Sequence, residues 1–118
     1  MSSLTGMRVL VLEDEPIVSM MLEDMLIELG CNVVGPAATL QEGLALAAVG
    51  GFDVAVLDIN INGQRSDAVA HALDAQGKLY TFATGYGGAG VPECGSPRVI
   101  HKPYTLDQLA EALEELGR

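Results

Sequence analysis

Five side chains that could do chemistry each lie at or just beyond the end of an apolar segment of this 118-residue chain: Glu13, Asp14, Asp58, Thr84 and Lys102. A carboxylate is an adequate nucleophile toward phosphorus when a metal ion and other donors neutralise charge on the phosphoryl oxygens. We therefore predict phosphoryl transfer to Asp58, with Lys102 as the cation and Thr84 as a hydroxyl donor. The product would be an acyl phosphate.

The acidic side chains also predict a divalent cation. Carboxylates gathered in a small volume repel one another unless a proton or a cation intervenes. Mg²⁺ takes octahedral oxygen ligands and tolerates a site made of one or two carboxylates, a carbonyl and waters. We expect Asp14 and Asp58 to bind Mg²⁺ directly, Glu13 to bind through water, and the backbone carbonyl of Asn60 to complete the protein ligands.

Each of these residues also has an ordinary structural explanation. Glu13 and Asp14 could be acids favoured by the dipole at a helix N-terminus, and Asp58 could simply start a turn. Lys102 could be a surface lysine. Their joint placement at successive strand ends favours a shared site over these separate explanations.

The elements that must position these side chains alternate between strand and helix. Apolar runs predict five strands, over 7–12, 32–34, 54–57, 79–83 and 98–101, with the second strand ending at Gly35-Pro36. The alternation predicts an α/β fold, a doubly wound five-stranded parallel sheet of flavodoxin-like order 2-1-3-4-5. Asp14 and Asp58 then face each other across the crevice between the first and third strands.

Helical periodicity predicts helices over 17–29, 39–49, from beyond Gly63 to Ala75, and 105–116. Thr39 with Glu42 and Thr105 with Gln108 fit capping boxes. The Gly- and Pro-rich stretch 85–97 favours a loop with one short turn, which reduces the helix expected before the last strand. The first helix is expected to bury one apolar stripe, with its methionines filling gaps in the core: Ile17, Met21, Leu22, Met25, Leu26 and Leu29.

Composition limits the classes of partner. Six Lys and Arg against sixteen Asp and Glu give a formal net charge of -10, which argues against nucleic acid. No apolar run approaches the roughly 20 residues that span a bilayer, and the first residues lack the cationic start of a signal peptide. Two distant cysteines indicate reduced thiols. We expect one soluble, cytoplasmic domain over 1–118, either natively alone or cut from a longer chain.

The ordered set of motifs resembles the receiver domain of two-component response regulators over nearly the full chain. The resemblance implies that Asp58 is the phosphoacceptor, that Glu13 and Asp14 form the magnesium pocket, and that Thr84 is the switch hydroxyl. It also implies that Lys102 is the family's conserved cation and that a cis bond precedes Pro103. A sensor histidine kinase would be the phosphodonor, and the chain would catalyse only its own phosphorylation and dephosphorylation.

The segment 81–86, Thr-Phe-Ala-Thr-Gly-Tyr, is similar to the Phe-Ala-Thr-Gly signature of the FAT GUY receivers of alphaproteobacteria. This resemblance implies a kinase of the HWE or HisKA2 type. Three features depart from the family pattern: Val99 replaces the usual aromatic, Asn62 replaces a frequent proline, and 85–97 replaces a full helix. We therefore hypothesise that phosphorylation orders 85–97, with Tyr86 as a substitute aromatic.

Two alternatives belong to other functional classes. A phosphatase of the haloacid dehalogenase type also uses an Asp nucleophile after a strand, but it needs a second Asp where this chain has Asn60. A pseudo-receiver would bind its partner without phosphorylation, which the complete set of acids, Asp58 and Lys102 counts against. The leading prediction is a receiver that changes its binding to a downstream protein or acts as a phosphate shuttle or sink.

Overall fold

The computed structural model describes residues 4–84, 98–102 and 104–117. In chain order its elements are β1 (Arg8–Leu12), α1 (Pro16–Glu28), β2 (Asn32–Ala37), α2 (Leu40–Val49), β3 (Val54–Asp58), β4 (Asn60–Ile61), β5 (Gln64–Arg65), α3 (Asp67–Ala75), β6 (Leu79–Thr84), β7 (Arg98–His101) and α4 (Leu106–Leu116). Strands β4 and β5 form a small antiparallel pair that the sequence did not predict.

The remaining strands form one parallel sheet in the order β2-β1-β3-β6-β7. With the β4–β5 pair set aside, this is the predicted order 2-1-3-4-5. Helices cover both faces of the sheet, because alternate strand side chains point to opposite sides. Leu10 and Leu57 pack with residues of α2 and α3, whereas Val9 and Val56 pack with residues of α1 and α4. The doubly wound fold is therefore confirmed.

Both predicted capping boxes begin with a threonine that caps its helix. At α4, Thr105 and Gln108 form the full capping box, since each side chain accepts the backbone N–H of the other. At α2, the Thr39 hydroxyl accepts the N–H of Glu42 at 3.1 Å. The Glu42 carboxylate accepts the N–H of Ala38 instead of that of Thr39, so this box is displaced by one residue.

The prediction that the second strand ends at Gly35-Pro36 is wrong. Strand β2 continues to Ala37, and its register against β1 shifts between the Leu10 and Leu12 pairings. Gly35 allows this irregularity with a φ of 100°. Continuation places the Ala37 carbonyl where it accepts the N–H of Glu13 at 2.9 Å, and this bond ties β2 to the first acidic residue.

The predicted buried stripe of α1 is only partly correct. The helix buries Ser19, Leu22 and Leu26 against the sheet, while Ile17 is 74% exposed and Met21 is 54% exposed. The spacing 19, 22, 26 defines the inward face, and positions 17 and 21 fall outside it. The methionines do not all fill the core, because Met20 is also exposed; Met25 is half-buried against it.

Candidate functional site

The parallel strands bring the predicted acidic residues to one edge of the sheet. Leu12 of β1 lies opposite Leu57 of β3, so the residues that follow these two strands leave the sheet side by side. Glu13 and Asp14 follow β1, and Asp58 is the last residue of β3. One oxygen from each of the three carboxylates lies within 4.8 Å of the others.

Lys102 joins this acidic cluster from the end of β7. Its Nζ donates to Glu13 Oε2 at 2.7 Å and to Asp58 Oδ2 at 3.1 Å. The lysine side chain is largely buried, and Glu13 is only 4% exposed. Three carboxylates and one ammonium give a formal charge of -2, which matches a divalent cation.

Burial and charge shift the pKa values of the paired groups. Burial raises the pKa of Glu13 and outweighs the hydrogen bond from Lys102, while the nearby Asp58 charge raises it further. Burial acts to lower the pKa of Lys102, but the hydrogen bond to Glu13 and the charge of Asp58 leave that pKa raised. The ammonium is therefore retained in the cluster, where its single positive charge offsets part of the negative charge of the two carboxylates it contacts.

Backbone donors hold the carboxylates in place. The N–H of Glu15 donates to Glu13 Oε1 at 3.1 Å, and the N–H of Asn60 donates to Asp58 Oδ1 at 3.4 Å. Asn60 therefore lies beside Asp58. Coordination of Mg²⁺ by the backbone carbonyl of Asn60 stays a prediction.

Asn62 belongs to this site although the sequence pattern marked it only as a departure. Its backbone N–H donates to Asp14 Oδ2 at 2.8 Å, and its side-chain amide donates to the carbonyl of Ala38 at 3.1 Å. Residue type alone gives no signal for the first bond, because every residue except proline carries a backbone N–H.

Tyr104 is a second residue that sequence reasoning missed. It packs against the core two residues beyond Lys102, and burial raises the pKa of its phenol to about 12.

Thr84 ends β6, but its side chain lies outside the described residues, as do Pro103 and the segment 85–97 with Tyr86. Val99, which stands where the family usually has an aromatic residue, is half-buried against the core.

The donor set suits a hard divalent cation. Mg²⁺ and Ca²⁺ prefer oxygen ligands, and the three ligand atoms that this cluster brings together are all carboxylate oxygens. An ammonium beside a carboxylate at the same edge adds the positive charge that a phosphoryl group requires. The arrangement can therefore bind a metal ion together with a phosphoryl group.

Solved structures of receiver proteins share this fold. SdrG from Sphingomonas melonis Fr1 is 42% identical, with 98% of each chain covered and a TM-score of 0.83. The receiver domain of the Erythrobacter litoralis PhyR response regulator is 25% identical over 98% of this chain and 92% of that one, with a TM-score of 0.82. A third structure is the receiver domain of the sensor histidine kinase PA1611 from Pseudomonas aeruginosa PAO1, with a magnesium ion in its active-site cleft. It is 20% identical, covers 96% of this chain and 98% of that one, and has a TM-score of 0.85. At this identity the likeness shows the fold alone.

A curated relative agrees with these structures. The transcriptional regulatory protein PdtaR from Mycobacterium tuberculosis is 29% identical over 91% of this chain and 55% of its own length. The chain thus spans about half the length of the curated relatives it matches. No protein-family model matches the chain.

Fold, site and comparisons together define a signalling module of two-component phosphorelays. The chain belongs to the response regulator receiver family, and its likeness to PhyR is consistent with the predicted FAT GUY type. Membership in this family favours the receiver prediction over the haloacid dehalogenase alternative. Among the described residues, none of the helices has the length and apolar character needed to cross a bilayer.

Proposed function

We propose that Asp58 accepts a phosphoryl group from a phosphohistidine of a sensor histidine kinase in a magnesium-dependent reaction. The observation that carries this proposal is the joint contact of Lys102 with Glu13 and Asp58 beside Asp14. Carboxylates that can bind a metal ion, with a lysine ammonium beside them, suit a site that stabilises negative charge on a bound phosphoryl group.

In the proposed reaction, an Asp58 carboxylate oxygen forms the new bond to phosphorus. The bond between phosphorus and the kinase imidazole nitrogen breaks, and that nitrogen keeps the electron pair. Lys102 lies 3.1 Å from Asp58 Oδ2 and supplies positive charge for the phosphoryl oxygens. We assign the hydroxyl of Thr84 as a further donor to them.

We assign Mg²⁺ to Asp14 and Asp58 directly, to Glu13 through water, and to the backbone carbonyl of Asn60. When bound, Mg²⁺ neutralises charge on the phosphoryl oxygens during transfer. Support comes from the all-oxygen donor set and its formal charge of -2 with Lys102 included. The magnesium ion in the active-site cleft of the PA1611 receiver is in keeping with this assignment.

We also propose the extent of the domain, the type of its kinase and the consequence of its phosphorylation. We infer that 1–118 form a single receiver domain, that the kinase is of the HWE or HisKA2 type, and that the phosphorylated form binds a downstream protein or passes its phosphate on. The net charge of -10 supports a protein partner over nucleic acid. The chain would act on no substrate beyond its own phosphorylation and dephosphorylation.

Incubation with acetyl phosphate or phosphoramidate and Mg²⁺, followed by intact mass spectrometry, tests the proposal. We expect the mass of one phosphoryl group to be added, and we expect the adduct to be absent in Asp58→Asn and without Mg²⁺. Asp24→Asn is the matched control, because it removes an acid of α1 that is not among the ligands named above. An adduct that persists in Asp58→Asn would place the phosphoacceptor elsewhere.

A further inference from the structure

Asn62 connects three separate segments of the site. It lies in the turn between β4 and β5, its backbone N–H reaches Asp14 beyond β1, and its side chain reaches Ala38 between β2 and α2. We propose that Asn62 is a positioning residue that holds the Asp14 carboxylate for the metal and so strengthens divalent-cation binding. This inference rests on the proposed function, because it concerns the same magnesium site.

The backbone conformation explains why an asparagine suits this position. Asn62 has a φ of 52°, in the left-handed region that asparagine tolerates better than most residues other than glycine. The side-chain bond to the Ala38 carbonyl fastens the turn in that conformation. A proline could neither adopt this φ nor donate an N–H to Asp14.

The bond to Asp14 has a direct consequence for a metal ligand. The N–H occupies one carboxylate oxygen, Oδ2, at 2.8 Å and restricts rotation of the group. The other oxygen is then left for a cation, in a carboxylate whose orientation is fixed before the cation arrives. Preorganised ligands lose less entropy on binding, so the affinity for the cation rises.

Three substitutions at position 62 separate the backbone bond from the side-chain bond. Asn62→Pro removes the N–H and both contacts. Asn62→Ala keeps the N–H but disfavours the φ of 52°, and serves as the milder variant if the proline variant does not fold. Asn62→Gly keeps the N–H and the φ, and loses only the amide bond to Ala38.

Gly63→Ala provides a matched control in the same turn. Gly63 has a φ of 80°, so alanine strains the backbone there too, and no atom within 4 Å would meet the new Cβ. This variant therefore disturbs the turn without removing a donor from Asp14. Its metal affinity reports the effect of strain alone.

Two NMR measurements on the full chain provide the readouts. A Mg²⁺ titration followed on backbone amide resonances gives the dissociation constant of each folded variant. The scalar coupling through the hydrogen bond, from the Asn62 amide nitrogen to the Asp14 carboxylate carbon, reports the bond itself without any activity measurement. We expect this coupling in the wild type and in Asn62→Gly.

We expect the Mg²⁺ dissociation constant to rise about tenfold in Asn62→Pro and about threefold in Asn62→Ala, as loss or weakening of a bond to a charged group predicts. Asn62→Gly and Gly63→Ala should stay within about twofold of the wild type, because both retain the donor. The inference is overturned if folded Asn62→Pro or Asn62→Ala binds Mg²⁺ as tightly as Gly63→Ala, or if the wild type lacks the coupling. A wild type that binds no Mg²⁺ would instead refute the proposed magnesium site.

Discussion

At the scale of single residues, the acids and the lysine of the site could be predicted from the sequence, but the backbone groups that hold them in place could not. Glu13, Asp14, Asp58 and Lys102 follow apolar strands, and parallel strands end at one edge, so their meeting follows from sequence order. Asn62 reaches Asp14 through its backbone N–H, which has no residue-specific signature. That contact depends on the geometry of the turn between β4 and β5.

Tyr104 leads to a prediction about alkaline stability. Burial raises the pKa of its phenol to about 12, above the ordinary tyrosine value of 10.0. Between these values the unfolded chain loses the phenol proton and the folded chain keeps it, so stability falls as pH rises. Tyr104→Phe should therefore lose less stability than the wild type between about pH 10 and about pH 12, by at most about 2 kcal/mol.

Urea unfolding at several pH values measures this difference, and phenolate absorbance checks its cause. Below about pH 9 the offset between the two proteins should be constant, because the phenol is protonated in both states. The alkaline titration of the folded wild type should show late phenolate absorbance that Tyr104→Phe lacks. Parallel stability curves for the two proteins across this alkaline range would contradict the assignment to Tyr104.

At the scale of elements, strand and helix existence followed from periodicity, while details of pairing did not. The strand β2 was predicted to end at Gly35-Pro36, since these residue types usually interrupt strands. Pairing with β1 beyond an irregularity carries it to Ala37. Likewise, the apolar residues of α1 did not reveal which of them face the sheet, because Ile17 and Met21 fit a helical spacing on the exposed side.

Gly35 gives a prediction at this scale. A Cβ at this position would lie 2.8 Å from the backbone nitrogen of Ala37 and 3.2 Å from the carbonyl oxygen of Val11, at a φ of 100°. Gly35→Ala therefore combines backbone strain with a clash against β1 and β2, and should lower the free energy of unfolding by about 2–4 kcal/mol. Chemical denaturation followed by circular dichroism measures the loss.

Gly51→Ala is the matched control for Gly35→Ala. Gly51 also has a positive φ, 78°, but a Cβ added there would meet no atom within 4 Å. Strain alone should then cost about 1 kcal/mol. Equal losses in the two variants would show that crowding at the β1–β2 irregularity does not limit the residue at position 35.

At the scale of the whole molecule, the site joins parts of the chain that are distant in sequence. Glu13 and Lys102 are 89 positions apart, and Asp58 lies between them in the chain. The parallel sheet brings them together, so the cluster forms only when β1, β3 and β7 are assembled. A ligand of this cluster consequently binds the folded chain and not the unfolded one.

This dependence predicts a specific effect of Mg²⁺ on global stability. At a Mg²⁺ concentration about tenfold above its dissociation constant, the free energy of unfolding should rise by about 1.4 kcal/mol, through preferential binding to the folded state. Sodium chloride at equal ionic strength should give a smaller rise, since it only screens the net charge of -10. Asp14→Asn should lose most of the Mg²⁺ increment, whereas Asp24→Asn, with the same charge change, should keep it. Equal increments from the two salts in urea unfolding would mean that the stabilisation comes from general screening and not from the acidic cluster.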